Sequence, residues 1–309
     1  YIALEGFSTK IKGEKEGNFI SGNIEMETPA STLQLHNNNY LRSMPLAFEI
    51  PFKLDLDKKT ITLDQAEIEF NTFKLSVDGF AKQSSISDDI TLDVAFETET
   101  WNLPALLNLL PDNYKNIVEG MNFKGDVKVK GSAKGVYNDS LMPLINAQIH
   151  YTDGNFAYKS LPLSFKNIEA DLTAFLDFNN ETQSQIAIHS LQAETGQSSL
   201  HINGDIKDFF NAMLFQVRIK GKLFLPDVKP MLPSDMKIDV KGISDINIVA
   251  GFELNDLRNF AYEKWHVNGN FDFTQLAIKY KDSIFITSSA STLKLTLPSR
   301  TKDKKFVRL

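Results

Sequence analysis

The sequence contains no cysteine, which removes disulfide staples, thiolate metal sites and cysteine nucleophiles in one step. That absence does not fix a compartment, because an oxidising environment permits disulfides without requiring them. Tryptophan is scarce as well. Two Trp stand against 23 Phe, and with Ile, Val and Thr throughout, the balance leans toward strands. No uninterrupted apolar run approaches the roughly 18 to 20 residues that a bilayer-spanning helix needs, and no signal peptide is visible. The chain opens on Tyr1 inside an already alternating stretch and closes on the charged segment TKDKKFVRL. It therefore reads as a piece of something longer, with any membrane anchor expected outside it. A basic footprint is also missing. With 33 Lys and Arg against 39 Asp and Glu, the formal net charge is −6, so nucleic acid is not an expected partner.

Catalytic constellations are equally absent from the pattern. The five histidines, His36, His150, His189, His201 and His266, are scattered and none forms HExxH. His189 and His201 fall twelve positions apart on separate expected strands, a spacing that no common metal site uses. The acidic pairs Asp55 with Asp57 and Asp88 with Asp89 fall on a wet strand face and in a turn. The glycines of KGDVKVKGSAKG lack the GK[ST] ending of a phosphate loop. These absences predict a protein that is not an enzyme and holds no metal and no cofactor.

What the chain does have is internal repetition. ITLDQAEIEFNTFKLSVDGFAK, from Ile61, lies over IAIHSLQAETGQSSLHINGDIK, from Ile186, without a gap. Ile61 pairs with Ile186, Glu69 with Glu194, Leu75 with Leu200, Gly79 with Gly204 and Lys82 with Lys207, each 125 positions apart. Both copies continue through alternating apolar residues to Leu110-Pro111 and Leu232-Pro233, now 122 apart. A weaker match sets residues 145–175 over 265–295, with Phe165 on Phe285 and Ala170 on Ala290, 120 apart. Small loop deletions produce that drift. A chain of 309 residues exceeds a typical single-core domain. The expected organisation is one elongated β-repeat body over 1–309, with a partial unit at 1–60, a full unit at 61–185 and another at 186–295.

Taken in order, residues 1–35 read as short strands (Ile2 and Leu4; Phe19, Ile24 and Met26; Leu33 and Leu35) punctuated by Gly13, Gly17 and Gly22. Leu46, Phe48 and Ile50 then alternate with Ala47 and Glu49, and Phe52, Leu54 and Leu56 face away from Lys53, Asp55 and Asp57, a period of two. Asp57-Lys58-Lys59-Thr60 is the expected turn, and Asp78-Gly79 and Ser87-Asp88-Asp89 are read as further turns. Residues 101–119 break the alternation. Leu103, Leu106, Leu107 and Leu110 take helical spacing behind an Asn102 N-cap and Pro104. LPDVKPMLPSD in the second copy reads as a turn or a single helical turn. Strands resume at 125–131 and 244–251, followed by polar loops at Asn138-Asp139-Ser140 and Asn255-Asp256. The fold class is mainly β: an elongated, curled antiparallel sheet of repeats of about 120 residues, with one or two short helices.

The positive signal is a long series of strands with one apolar face and little helix to cover it. Candidate lining residues in the first half are Leu75 and Val77, then Leu92, Val94 and Phe96, then Val127 and Val129. In the second half they are Leu200 and Ile202, then Phe215, Val217 and Ile219, then Ile246 and Ile248, then Phe271 and Phe273, then Leu293 and Leu295, with Leu297 beyond. Such a face must curl on itself, pack against another sheet or hold something apolar. Alternation alone does not distinguish a packed interior from a lined cavity.

The order of elements resembles the AsmA-like proteins of Gram-negative bacteria over roughly residues 40–300. The residues carrying the likeness are Asp78-Gly79 and Asn203-Gly204-Asp205, the LLP and MLP stops, and Asn155-Phe156-Ala157-Tyr158 followed by Leu161-Pro162 and Ile168-Glu169-Ala170. The resemblance implies an inner-membrane anchor, a periplasmic body folded as a repeating β-groove, and movement of phospholipid between inner and outer membrane in outer-membrane biogenesis. It implies no catalytic residue and no cofactor. The chain departs from the family pattern in lacking the N-terminal transmembrane helix. Beside this reading stand two others: a single-site carrier of lipid or lipoprotein, and a structural or adhesive β-sandwich array.

Overall fold

A computed structural model describes residues 2–35, 38–110, 115, 118–159, 161–231, 238–259, 261–280, 283–297 and 306–308. The described chain is mainly β, with eighteen strands in one open antiparallel sheet and three short α-helices. It divides into two compact units.

The first unit comprises Tyr1–Glu119, Asp126–Ile149 and Ala174–Ser184. Its strands are β1 (Ile2–Glu5), β2 (Ser8–Glu16), β3 (Phe19–Leu35), β4 (Asn38–Asp55), β5 (Thr60–Phe70), β6 (Phe73–Gln83), β7 (Ile90–Thr98) and the two-residue β8 (Trp101–Asn102). Helix α1 (Leu103–Leu107) follows. β9 (Met121–Tyr137), β10 (Leu144–Tyr158) and β11 (Ser164–Leu176) contribute residues to both units. From β2 to β7 each strand pairs with the next, and β7 then pairs with β9. Between the register shifts the period of two holds: Ile24 faces Ile50, Phe48 faces Ile68, and Ile68 faces Leu75.

The second unit comprises Gly120–Gly125, His150–Thr173 and Gln185–Leu309. It contains β12 (Gln185–Thr195), β13 (Ser198–Lys207), β14 (Leu214–Phe224), helix α2 (Leu225–Val228), β15 (Ile238–Glu253), helix α3 (Leu254–Arg258), β16 (His266–Tyr280), β17 (Ser283–Leu297) and β18 (Phe306–Arg308). Consecutive strands again pair antiparallel, from β12 to β18.

The repeat read from sequence has a structural counterpart. In the β5–β6 hairpin the register slips between Leu63 and Ala66; in β12–β13 it slips between Ile188 and Leu191, the positions 125 residues on. Both bulges sit opposite a glycine, Gly79 beside Leu63 and Gly204 beside Ile188. This corrects the reading of Asp78-Gly79 as a turn, because Asp78-Gly79 lies inside β6, as Asn203-Gly204 lies inside β13. Gly79 and Gly204 take φ of +133 and +146, and a Cβ would stand 2.2 Å from the Asp93 carbonyl oxygen or 2.1 Å from that of Gln216. Only glycine allows the neighbouring strand so close. Asp78 serves the bulge by accepting the Gln65 N–H at 2.7 Å.

Other local readings fare unevenly. The Asn102 side chain accepts the Ala105 N–H at 3.3 Å and caps α1, with a proline in its first turn. That helix ends at Leu107, so Leu110 lies beyond it, and Pro111, like Leu232-Pro233 and His36, falls outside the described residues. Residues 19–35 form one long strand with Gly22 inside it, where several short ones were expected. Asn255-Asp256 is part of α3 and not a loop. Asp256 is buried there and accepts from Lys264 Nζ at 2.8 Å, a partner eight residues on that a local pattern does not announce. Its carboxylate holds the Lys264 ammonium above the usual lysine range.

Candidate functional site: the apolar face of the sheet

Directly paired residues share a face of a sheet, so the register decides which candidates come together. In the first unit one row runs Met26, Phe48, Ile68 and Leu75. A second runs Ala66, Val77, Phe96 and Gly131. A third runs Phe52, Leu63, Gly79, Val94 and Ala133, and a fourth Leu54, Ile61, Ala81 and Leu92. Val127 and Val129 sit four and two residues before Gly131 on β9 and therefore share this face.

In the second unit Ile206, Phe215 and Phe252 form one row, and Ile188, Gly204, Val217, Ala250, Val267 and Leu297 the next. Ile202, Ile219, Ile248, Gly269 and Leu295 follow, then Leu200, Gly221, Ile246, Phe271 and Leu293. Phe273 lies in a last row between Ser244 and Ser291. All the candidate lining residues thus fall on the apolar face of their unit. The candidate set missed Phe48, Ile50, Phe52 and Leu54 on β4, Ile186, Ile206 and Phe252, although the same alternation marks them.

Burial on this face is partial. Val127, Val217 and Ile246 are buried, and every other candidate is half-buried. Two clusters thicken it. One gathers Phe73, Trp101 and Val127 under α1; the other gathers Ile188, Val217, Ala250 and Val267. Among the most deeply buried side chains are Phe73 and Ala66, with four serines, Ser31, Ser184, Ser198 and Ser244. Among the described residues the deepest side chains thus include one large apolar ring, Phe73, beside several small hydroxyls, and most of the apolar rows stay partly exposed. Chemically the face offers extended, non-directional apolar contact with few polar groups to orient a bound molecule.

The opposite face is charged. In the first unit Glu25, Glu49 and Glu67 stand directly across from one another on β3, β4 and β5. They line a trough of about 580 Å³ with Glu69 and Glu97. Lys10 meets Glu25 at 3.1 Å, and Lys128 and Lys130 meet Glu97 at 2.7 and 3.5 Å. The Lys128 hydrogen bond, with the charges of both lysines, holds the Glu97 carboxyl below its ordinary value. In the second unit Arg218, Lys220, Lys222 and Lys294 are exposed on this face. His150 and His189 are exposed too, partnered by Asp171 and Thr173, each at 2.6 Å. Among the described residues no group of three or more His, Asp or Glu side chains is arranged to hold a metal ion, and no helix is long and apolar enough to cross a membrane. No protein-family model matches the chain, and neither a curated protein nor a solved structure matches it.

Proposed function

We propose that the apolar face of the sheet shelters acyl chains of phospholipid, and that the protein conducts lipid across the periplasm between inner and outer membrane, as the AsmA-like resemblance implies. The observation that carries the proposal is the half-exposure of the apolar rows in each unit. Each methylene left in water costs about 0.8 kcal/mol, so an acyl chain crossing an aqueous space needs shelter on the order of 10 kcal/mol. Rows such as Ile202, Ile219, Ile248 and Leu295 offer it without any fixed polar anchor. Contact of this kind lets a lipid slide. No proton or group transfer is required, and the protein acts as a conduit and not as an enzyme.

The test uses the half-buried Ile248 and avoids the buried Val217. Lipid is extracted and quantified from the purified wild type and from Ile248→Asp, with a denaturant melt of each. Bound phospholipid in the wild type, lost in a variant that keeps most of its stability, supports the conduit. If the wild type carries no lipid and the aspartate collapses the fold, the face is a closed core and the reading fails.

A further inference from the structure

We propose that β2 is a self-association edge, pairing antiparallel with β2 of a second copy of this chain about a twofold axis at Gly13. Among the described residues β2 takes its register from β3, and all nine of its residues are exposed. An edge of that length presents a row of backbone donors and acceptors ready to template another strand. Its side chains say which strand fits.

On the charged face β2 reads Lys10, Lys12, Glu14, Glu16, two positive charges followed by two negative. On the apolar face it reads Thr9, Ile11, Gly13, Lys15. A twofold axis at Gly13 sets Lys10 against Glu16 and Lys12 against Glu14 of the second copy, and the reciprocal pairs follow by symmetry. Every charge on that face of the strand then faces its opposite. Moving the axis to Lys12 sets lysine on lysine, and moving it to Glu14 sets glutamate on glutamate. A parallel pairing in register opposes like charges at all four positions, which is unfavourable across strands. The Gly13 axis also keeps the apolar faces of both copies on one side. There Ile11, 65% exposed, receives the aliphatic stem of the second copy's Lys15, and the two glycines meet with no side chain between them. Lys10 already contacts Glu25 at 3.1 Å, so Lys12 with Glu14 is the pair most available across the seam. This interface does not depend on what the apolar face binds.

The test is a charge swap on the full chain. Light scattering of the wild type at low salt, at concentrations on the order of 100 µM, should give a dimer that dissociates as salt is raised. Lys12→Glu places two glutamate pairs across the seam and should weaken the dimer about tenfold or more. Adding Glu14→Lys restores opposite charges in the same register and should restore the dimer. Because the chain has no cysteine, Gly13→Cys should crosslink to itself on oxidation, while Thr9→Cys, with no counterpart on the axis, should not. A wild type that stays monomeric, a swap variant no tighter than Lys12→Glu, or Thr9→Cys crosslinking as readily as Gly13→Cys would each overturn the proposal.

Discussion

The β5–β6 and β12–β13 hairpins are the same device built twice, and they differ at one end. Both carry a bulge at the same repeat position, both set a glycine against it, and both close through a two-residue connection between Phe70 and Phe73 or between Thr195 and Ser198. The first closure is aromatic. Phe73, 2% exposed, packs on Phe70 and Trp101 with ring centres 5.5 and 5.2 Å away, and the Trp101 indole N–H donates to the Lys74 carbonyl at 3.0 Å. The second closure is polar. Asp227 on α2 accepts from the Gln197 N–H at 2.7 Å and from the Ser198 hydroxyl at 2.8 Å, while Ser198 accepts the Phe224 N–H at 2.9 Å. What is kept between the copies is what bends the sheet and fixes its register. What varies is the chemistry that seals the strand ends.

If the bulge glycines are the shared device, breaking them should hurt both units alike. Gly79→Val and Gly204→Val each drive a Cβ into a carbonyl oxygen of the next strand and into a φ that β-branched residues avoid. Each should cost roughly 4 kcal/mol or more, read by denaturant unfolding; a cost confined to one unit would break the equivalence. The closures should separate next. Phe73→Ala empties a buried aromatic site, at about 3–5 kcal/mol, whereas Asp227→Ala leaves a loop N–H and a buried hydroxyl without their acceptor, at about 1–3 kcal/mol. The same melts rank the two, and a larger loss from Asp227→Ala would reverse the contrast drawn here.

The smallest effect belongs to the charged face. The folded-state pKa of Glu97 lies below its ordinary value, so the carboxylate stabilises the fold above the ordinary range and loses that contribution as pH falls through the lowered pKa. Its half-exposed setting screens the pairing with Lys128 and Lys130. Glu97→Gln should therefore leave stability near neutral pH almost unchanged and remove a slight decline at pH below the ordinary glutamate range, measured as melting temperature against pH.

The face that each strand presents was legible in the sequence, because a period of two fixes it once a few residues are placed. Leu200 and Ile202 or Phe271 and Phe273 needed no tertiary information to be assigned to one side. Asp78-Gly79 misled because its usual role as a turn rests on a positive φ, and the strand beside it, which calls for a positive φ of +133 here, lies in a different stretch of chain. Asp256 was read as loop for a similar reason: its burial depends on Lys264. Nor did the pattern separate the buried Val217 from the half-buried Ile219 on the same strand. Alternation reports which side a residue faces, and its depth depends on what lies above it.

The buried serines carry a calorimetric consequence. Heat capacity rises on unfolding chiefly through newly wetted apolar surface, and here several buried positions are hydroxyls, among them Thr28, Ser31, Thr98, Ser184, Ser198 and Ser244, while most of the aliphatic rows already meet water in part. The protein should release less heat-capacity increment per residue than the ordinary 12–15 cal/mol/K or so, which flattens its stability across temperature. A hydrocarbon laid along the rows would supply the missing burial, and its arrival would register as a large negative heat-capacity change of binding.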